Sequence, residues 1–204
     1  MKTLKILLAL SFLNLIALFF ITLGLPERVP THANSNMVID GYGSKWTVFI
    51  FGLLPIIIAL GMLIFRHVMN KKKIITKNQK VENIIFPLIT AFMIISTWLP
   101  VSLATQNNVA LGDRVNMPID LIIIMPMGIL LILISNYFGV IKQNHWLGIR
   151  TPWTLSSQTV WTKTHRLGGF TGVIGGLIIC LFCALGFIFK TPTLSFVGLV
   201  IGIT

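Results

Sequence analysis

Long apolar stretches alternate with short polar ones along this chain. Five stretches of about 20 residues run Leu4–Leu25, Trp46–Phe65, Ile84–Thr105, Ile119–Ile141 and Leu167–Phe189, the length that carries a helix across roughly 30 Å of hydrocarbon. None holds an interior Lys, Arg, Asp or Glu, and Asn14, Ser96, Thr97, Ser135 and Asn136 are typical of the few polar intrusions. A sixth run, Leu194–Thr204, ends after about half a span and is counted as a truncated or tilted sixth helix. The pattern predicts an all-α, polytopic transmembrane bundle of about six helices. The first stretch also has features of a signal peptide, because Lys2 and Lys5 precede it and Thr22 and Gly24 are small. Its apolar core is longer than such peptides carry and the chain beyond it is itself polytopic, so it is retained as the first helix.

Composition narrows the class further. Hydrophobic residues make up 55% of the 204 and charged residues 10%, against about 25% charged in an average soluble domain. A water-soluble fold would lack polar groups to cover its surface, and a disordered chain would need the opposite balance. The two cysteines, Cys180 and Cys183, lie within one apolar run, which argues against a secreted disulfide scaffold.

The net charge of +11 would suit nucleic acid, but its distribution points elsewhere. With the spans as drawn, 12 Lys and Arg residues fall on the side of the N-terminus and 4 (Arg28, Lys45, Arg114 and Lys190) on the other. The positive-inside rule therefore puts the N-terminus in the cytoplasm. Four of the five acids (Glu27, Asp40, Asp113 and Asp120) lie outside and Glu82 alone lies inside, so the whole excess sits in cytoplasmic loops. Anionic lipid headgroups account for it, and no direct nucleic-acid binding is expected. Lys71, Lys72 and Lys73 then read as a lipid-facing topology signal.

The polar segments are an outer loop Pro26–Lys45, a basic inner loop Arg66–Asn83, a short outer loop Gln106–Pro118 with an Asp113–Arg114 pair, and an inner loop Lys142–Arg166. Two regions follow: residues 1–66 with the outer loop, and residues 67–204 with the second inner loop. That inner loop holds three of the five tryptophans, Trp146, Trp153 and Trp161, beside Arg150, Lys163 and Arg166. Pro152 and the residue before it make Arg150–Trp153 a stiff, non-helical segment. Ser156 or Thr154 is then placed to cap a short amphipathic helix with Val160, Trp161, Thr164 and His165 on one face. The residues fit an interfacial anchor, with tryptophan rings at headgroup depth. They also fit a binding surface, with Arg150 as a planar cationic fork and Trp153 or Trp161 as stacking walls. His145 and His165 have no Asp, Glu or Cys beside them in this loop, so no catalytic set or metal site assembles there, and neither enzyme activity nor a cofactor is expected.

The run Asn144, Gly148-Ile-Arg-Thr-Pro-Trp-Thr-Leu-Ser-Ser157, Val160-Trp161 and Lys163-Thr-His-Arg166, preceded by Asn136-Tyr137, resembles the signature of the SdpI family of bacterial membrane immunity proteins. The resemblance implies protection of a producing cell from a secreted killing peptide, the sporulation-delaying toxin, and sequestration of a cytoplasmic autorepressor at the membrane. It makes Asn144, Arg150, Thr151, Pro152, Trp153, Trp161, Thr164, His165 and Arg166 candidate binding residues.

In the outer loop, Pro26 and Pro30 stiffen the exit from the first helix, and Gly41 and Gly43 permit a tight turn. His32, Asn34, Asp40 and Lys45 either converge on a ligand or satisfy one another as a folded cap. The Pro-x-x-x-Pro-x-His-x-Asn start and Gly-Ser-Lys end resemble a small domain of unknown function often joined to that family. The chain departs from it at Asn36-Met37-Val38, where that domain usually has a glycine.

Gly168, Gly172 and Gly176 put small residues on one stripe of the fifth helix, expected to pack within the chain rather than against a second copy. Cys180 and Cys183 read as small packing residues. A transporter or flippase is the alternative function, weakened by spans without ionisable residues. A membrane enzyme is weaker still, because the richest loop has only histidines for acid–base work.

Overall fold

Helix α1 (Lys2–Gly24) leads to strands β1 (Arg28–Ala33) and β2 (Ile39–Ser44). Helices α2 (Trp46–Phe51) and α3 (Leu54–Lys71) form the second span, and α4 (Gln79–Ser96) and α5 (Trp98–Ala104) the third. A π-helical turn, Asp120–Ile124, opens the fourth, α6 (Met125–Ser135), and a 3-10 turn, Phe138–Val140, closes it. A short helix α7 (Pro152–Ser156) precedes α8 (Gln158–Ile188), and α9 (Pro192–Ile203) doubles back along it. The computed structural model describes residues 2–34, 38–71, 77–105, 112–113 and 120–204; Asn36, Met37, Lys72, Lys73, Arg114 and most of the loop 106–118 lie outside them.

Five helical stretches of 20 to 31 residues are long and apolar enough to cross a membrane. At 1.5 Å per residue, α9 with its 12 residues reaches only about 18 Å, a half span. Large apolar side chains such as Leu13, Phe20, Ile57, Leu181 and Ile188 are exposed on the outer faces of these helices. That is the surface of a protein whose solvent is lipid, and the chain is a membrane protein.

Helices α1, α3 and α4 pack together, as do α6, α8 and α9, and α4 against α6 joins the two groups. Small residues make the second group tight. A Cβ at Gly172 would collide with Ser135 of α6, one at Gly175 with Gly202 of α9, and one at Gly198 with Phe182 of α8. The glycine stripe of α8 is thus used inside the chain. Cys183 is buried with Ile124 and Ile179 in the same core.

Three spans break in register with proline. Pro55 has no N–H to offer the carbonyl of Phe51, and the second span interrupts at Gly52–Leu53. Pro100 has none for Ser96, and the third interrupts at Thr97. Pro126 has none for Ile122, where the fourth widens into its π turn.

The ends differ from the sequence expectation in two ways. The outer loop is a β-hairpin, with Gly41 and Gly43 inside β2 and not in a turn. Its register runs Arg28↔Ser44, Val29↔Gly43, Pro30↔Tyr42, His32↔Gly41 and Ala33↔Ile39, leaving Thr31 and Asp40 outside the paired positions. Ile39 also exchanges backbone hydrogen bonds with Asp113 (2.9 Å) and Gly112 (3.0 Å), so the hairpin is fastened to the loop after α5. Val29 and Ile39 are buried on the bundle beneath it. At the opposite end, Arg66 is not in a loop. Helix α3 continues to Lys71 and α4 starts at Gln79, which brings Arg66, Glu82 and Asn83 into the helices.

Candidate functional site

The basic end is closed by an elbow, residues 136–157, folded over the first turns of α8. At 31 residues α8 is about 46 Å long, so it exceeds the hydrocarbon thickness by several turns. The short amphipathic helix expected after Ser157 is the beginning of this long one. Its cap is Ser157, whose hydroxyl accepts from Val160 N at 3.4 Å, one residue beyond the expected Ser156. Thr154 is not free to cap it, because it completes a reciprocal capping box with Thr151 at the start of α7. Trp153 is accordingly helical, in place of the stiff non-helical segment expected through Pro152. Thr151, extended before Pro152, is the residue that stays outside the helix.

Most of the signature residues hold the elbow to the bundle. Asn144 Oδ1 accepts from Trp146 N (2.9 Å) and Leu147 N (2.7 Å), while its Nδ2 donates to Lys142 O and Leu147 O. The chain then turns at Gly148, whose φ of 109° lies where side chains are strained and whose Cβ would collide with His165 Nε2. The empty space lets the imidazole reach the backbone. Its Nε2 accepts from Ile149 N at 3.0 Å and its Nδ1 donates to Trp161 O at 2.9 Å. One nitrogen must donate and the other accept, so the ring is neutral with the proton on Nδ1. His165 is fully buried and stacks on Trp161, with ring centroids 4.0 Å apart. Trp161, 1% exposed, donates from Nε1 to Ile141 O at 2.7 Å and packs with Val81 and Ile85 of α4.

This corrects the picture of Trp161 as a stacking wall and of His165 as a contact for a partner. Both are inside, with every polar atom engaged, because the face of α8 that carries them turns toward the elbow. Thr164 is half-buried. Arg150, Pro152, Trp153, Lys163 and Arg166 are exposed, Trp153 at 71%. Arg150 is steadied by donating from Nη1 to His145 O at 2.7 Å.

A buried ion pair lies beneath the elbow that the span pattern does not reveal. Arg66 Nη1 and Glu82 Oε2 are 3.0 Å apart with side chains 4% and 0% exposed. Arg66 also donates to Asn83 Oδ1, and Trp146 Nε1 donates to Glu82 Oε1 at 3.2 Å. The elbow's first tryptophan is thereby tied to the α3–α4 pair. Asn78, between those helices, makes a two-way clamp on the Lys142 backbone, both bonds at 2.7 Å. Ionisable residues within spans mark transport pathways by default, but this pair closes on itself and on Trp146. A signal existed in the sequence: Glu82 is the single acid among the cations of the inner side.

The four outer candidates do not gather at one point. His32 Nδ1 pairs with the carboxylate of Asp40, which the register irregularity of β2 turns toward it. Asn34 Oδ1 accepts from Val38 N at 3.1 Å at the tip. Lys45 sits at the base, with Nζ 3.0 Å from Glu27 Oε1, about 16 Å along the strands from the tip at roughly 3.3 Å per residue. The polar intrusions of the spans also find one another: Asn14 of α1 donates to Thr97 Oγ1 and accepts from Trp98 Nε1, each at 3.0 Å. Among the described residues no group of three His, Cys, Asp or Glu side chains is placed to hold a metal ion.

Residues 140–204, the elbow from its 3-10 turn with α7, α8 and α9, match the SdpI/YfhL protein family. Residues 9–59, most of α1 with the hairpin, α2 and the start of α3, match a domain of unknown function, DUF1648. Neither a curated protein nor a solved structure matches the chain. The chain is therefore similar to the SdpI/YfhL protein family over residues 140–204 and to DUF1648 over residues 9–59.

Proposed function

We propose that this chain is an immunity protein of the bacterial plasma membrane, giving its cell resistance to a secreted, membrane-active peptide of the sporulation-delaying type. The family match over residues 140–204 carries this reading. In it, the peptide is intercepted at the hairpin end of the bundle, outside the cell, while the basic end faces the cytoplasm as the charge distribution requires. Arg150 and Trp153, exposed on the elbow, form the contact for a cytoplasmic transcriptional repressor, flanked by the exposed Lys163 and Arg166. Asn144, Thr151, Trp161 and His165 act behind them by fixing the elbow. No chemical transformation is assigned, since the one acid near the elbow, Glu82, is committed to Arg66 and Trp146. Coupling between the ends would be a shift between two arrangements of the bundle, biased by the peptide outside and read by the repressor inside.

The test is survival. A strain sensitive to the peptide, expressing the chain at verified membrane levels, is expected to outlive the empty-vector control. Arg150→Ala and Trp153→Ala are expected to keep protection and to lose recruitment of a fluorescent repressor to the membrane. Equal killing with and without the chain contradicts the reading.

A further inference from the structure

Beneath the hairpin lies a partly open cavity of about 230 Å³. Thr31 of β1, Thr47 and Phe51 of α2, Met93 and Ser96 of α4 and Leu103 of α5 are on its wall. All three proline-linked interruptions of the spans also border it, through Phe51 and Leu54 at the first, Ser96 and Thr97 at the second and Ile123 at the third. Irregular backbone at membrane depth survives only where protein buries it or where it lines a cavity. Three breaks around one space mark it as built into the fold.

The chemistry of the wall restricts what fills it. The lining is almost wholly apolar, and three of its four hydroxyl side chains, those of Thr47, Ser96 and Thr97, already donate within the protein. Thr47 Oγ1 donates to Ser44 O at 2.7 Å, Ser96 Oγ to Phe92 O at 2.9 Å, and Thr97 Oγ1 to Ile94 O at 2.6 Å. A buried water needs two to four polar partners, and these groups have little left to give. Phe51 and Leu54, on the wall, are also exposed on the outside of a membrane-crossing helix, so the opening communicates with lipid. The half-exposed Trp46 at the head of α2 marks headgroup depth. Thr47 and Thr31 therefore lie near the interface, and Met93 lies deeper.

We propose that this cavity binds one acyl chain of a membrane phospholipid. The chain enters past Phe51 and Leu54, its ester region lies level with Thr47 and Thr31, and its methylenes run down to Met93 and Ile123. The lipid then serves as part of the packing that supports the hairpin. This holds independently of the immunity reading.

The test uses the full chain in nanodiscs of phosphatidylcholine and phosphatidylglycerol, doped with a phosphatidylcholine that carries a diazirine on its acyl chain. After irradiation, adducts are mapped by peptide mass spectrometry. They are expected to be several-fold richer at Met93, Ser96 and Leu103 than at the lipid-facing Leu13 and Leu181. Ser96→Phe, which fills the space, removes the enrichment while leaving adducts at Leu13 unchanged. Met93→Phe gives the same reading should that variant not fold. Adducts no richer in the cavity than at Leu13 and Leu181, or enrichment that survives filling in a folded variant, overturn the proposal. So does rapid modification of Ser96→Cys by a charged thiosulfonate in a Cys180→Ala, Cys183→Ala background, which would show a water-filled space.

Discussion

At the basic end Arg66, Glu82, Asn78, Trp146 and His165 are turned inward and bonded across elements. At the hairpin end His32 and Asp40 pair on the surface, and the exposed Glu27 pairs with a largely buried Lys45, above a half-open apolar cavity. Polar side chains thus do opposite work at the two ends. Inside the basic end the bonds of Arg66 to Glu82, of Asn78 to Lys142, of Trp146 to Glu82 and of His165 to Ile149 are buried or part-buried and join residues 16 to 64 apart in sequence, so losing one partner strands the other. On the hairpin His32, Asp40 and Glu27 sit in water, where screening leaves ion pairs with little energy and the apolar residues Val29 and Ile39 fasten the strands. The run from Asn144 to Arg166 therefore holds the elbow through its buried members, and Arg150, Pro152, Trp153, Ser156, Val160, Lys163 and Arg166 are exposed on it.

The sharpest contrast comes from the two carboxylates that pair with cations. Glu82→Gln leaves the Arg66 guanidinium buried without its counter-charge, at an expected cost of about 3–5 kcal/mol, read as a fall in thermal stability in detergent. The double variant Arg66→Met, Glu82→Leu should recover most of it. Glu27→Ala, which removes an 82% exposed carboxylate from a Lys45 that also donates to Leu25 O, should cost no more than about 1 kcal/mol. Equal losses at the two sites would erase the distinction between the ends.

Next in size are the elbow's internal ties. Gly148→Ala forces a side chain into a left-handed backbone position against His165 and should cost about 1–3 kcal/mol. Trp161→Phe leaves the Ile141 carbonyl unsatisfied and belongs in the same range, about 1–3 kcal/mol. Smallest are the presented residues: Arg150→Ala and Trp153→Ala should each shift stability by no more than about 0.5 kcal/mol. Their effect is expected in partner recruitment.

The spans were legible because length and hydrophobicity alone decide them once the solvent is lipid. The outer hairpin was not. Arg28-Val-Pro-Thr-His-Ala and Ile39-Asp-Gly-Tyr-Gly-Ser lack clean alternation, contain proline and glycine, and form strands only because Val29 and Ile39 dock on helices distant in sequence. The Arg66–Glu82 pair was hidden for a related reason. A charge at the edge of an apolar run has the same local appearance whether it faces water or a partner 16 residues away. Trp161 and His165 were placed correctly on one face of a helix, but helical periodicity does not say which side the elbow covers.

His165 fixes the elbow from within, and hydrogen exchange at the Ile149 amide reads that bond. In the full chain in nanodiscs that amide should be strongly protected. His165→Ala should bring it to the rate of an unbonded loop amide, and Arg150→Ala should leave it unchanged. An Ile149 amide that already exchanges at the unbonded rate with His165 in place would contradict the claim.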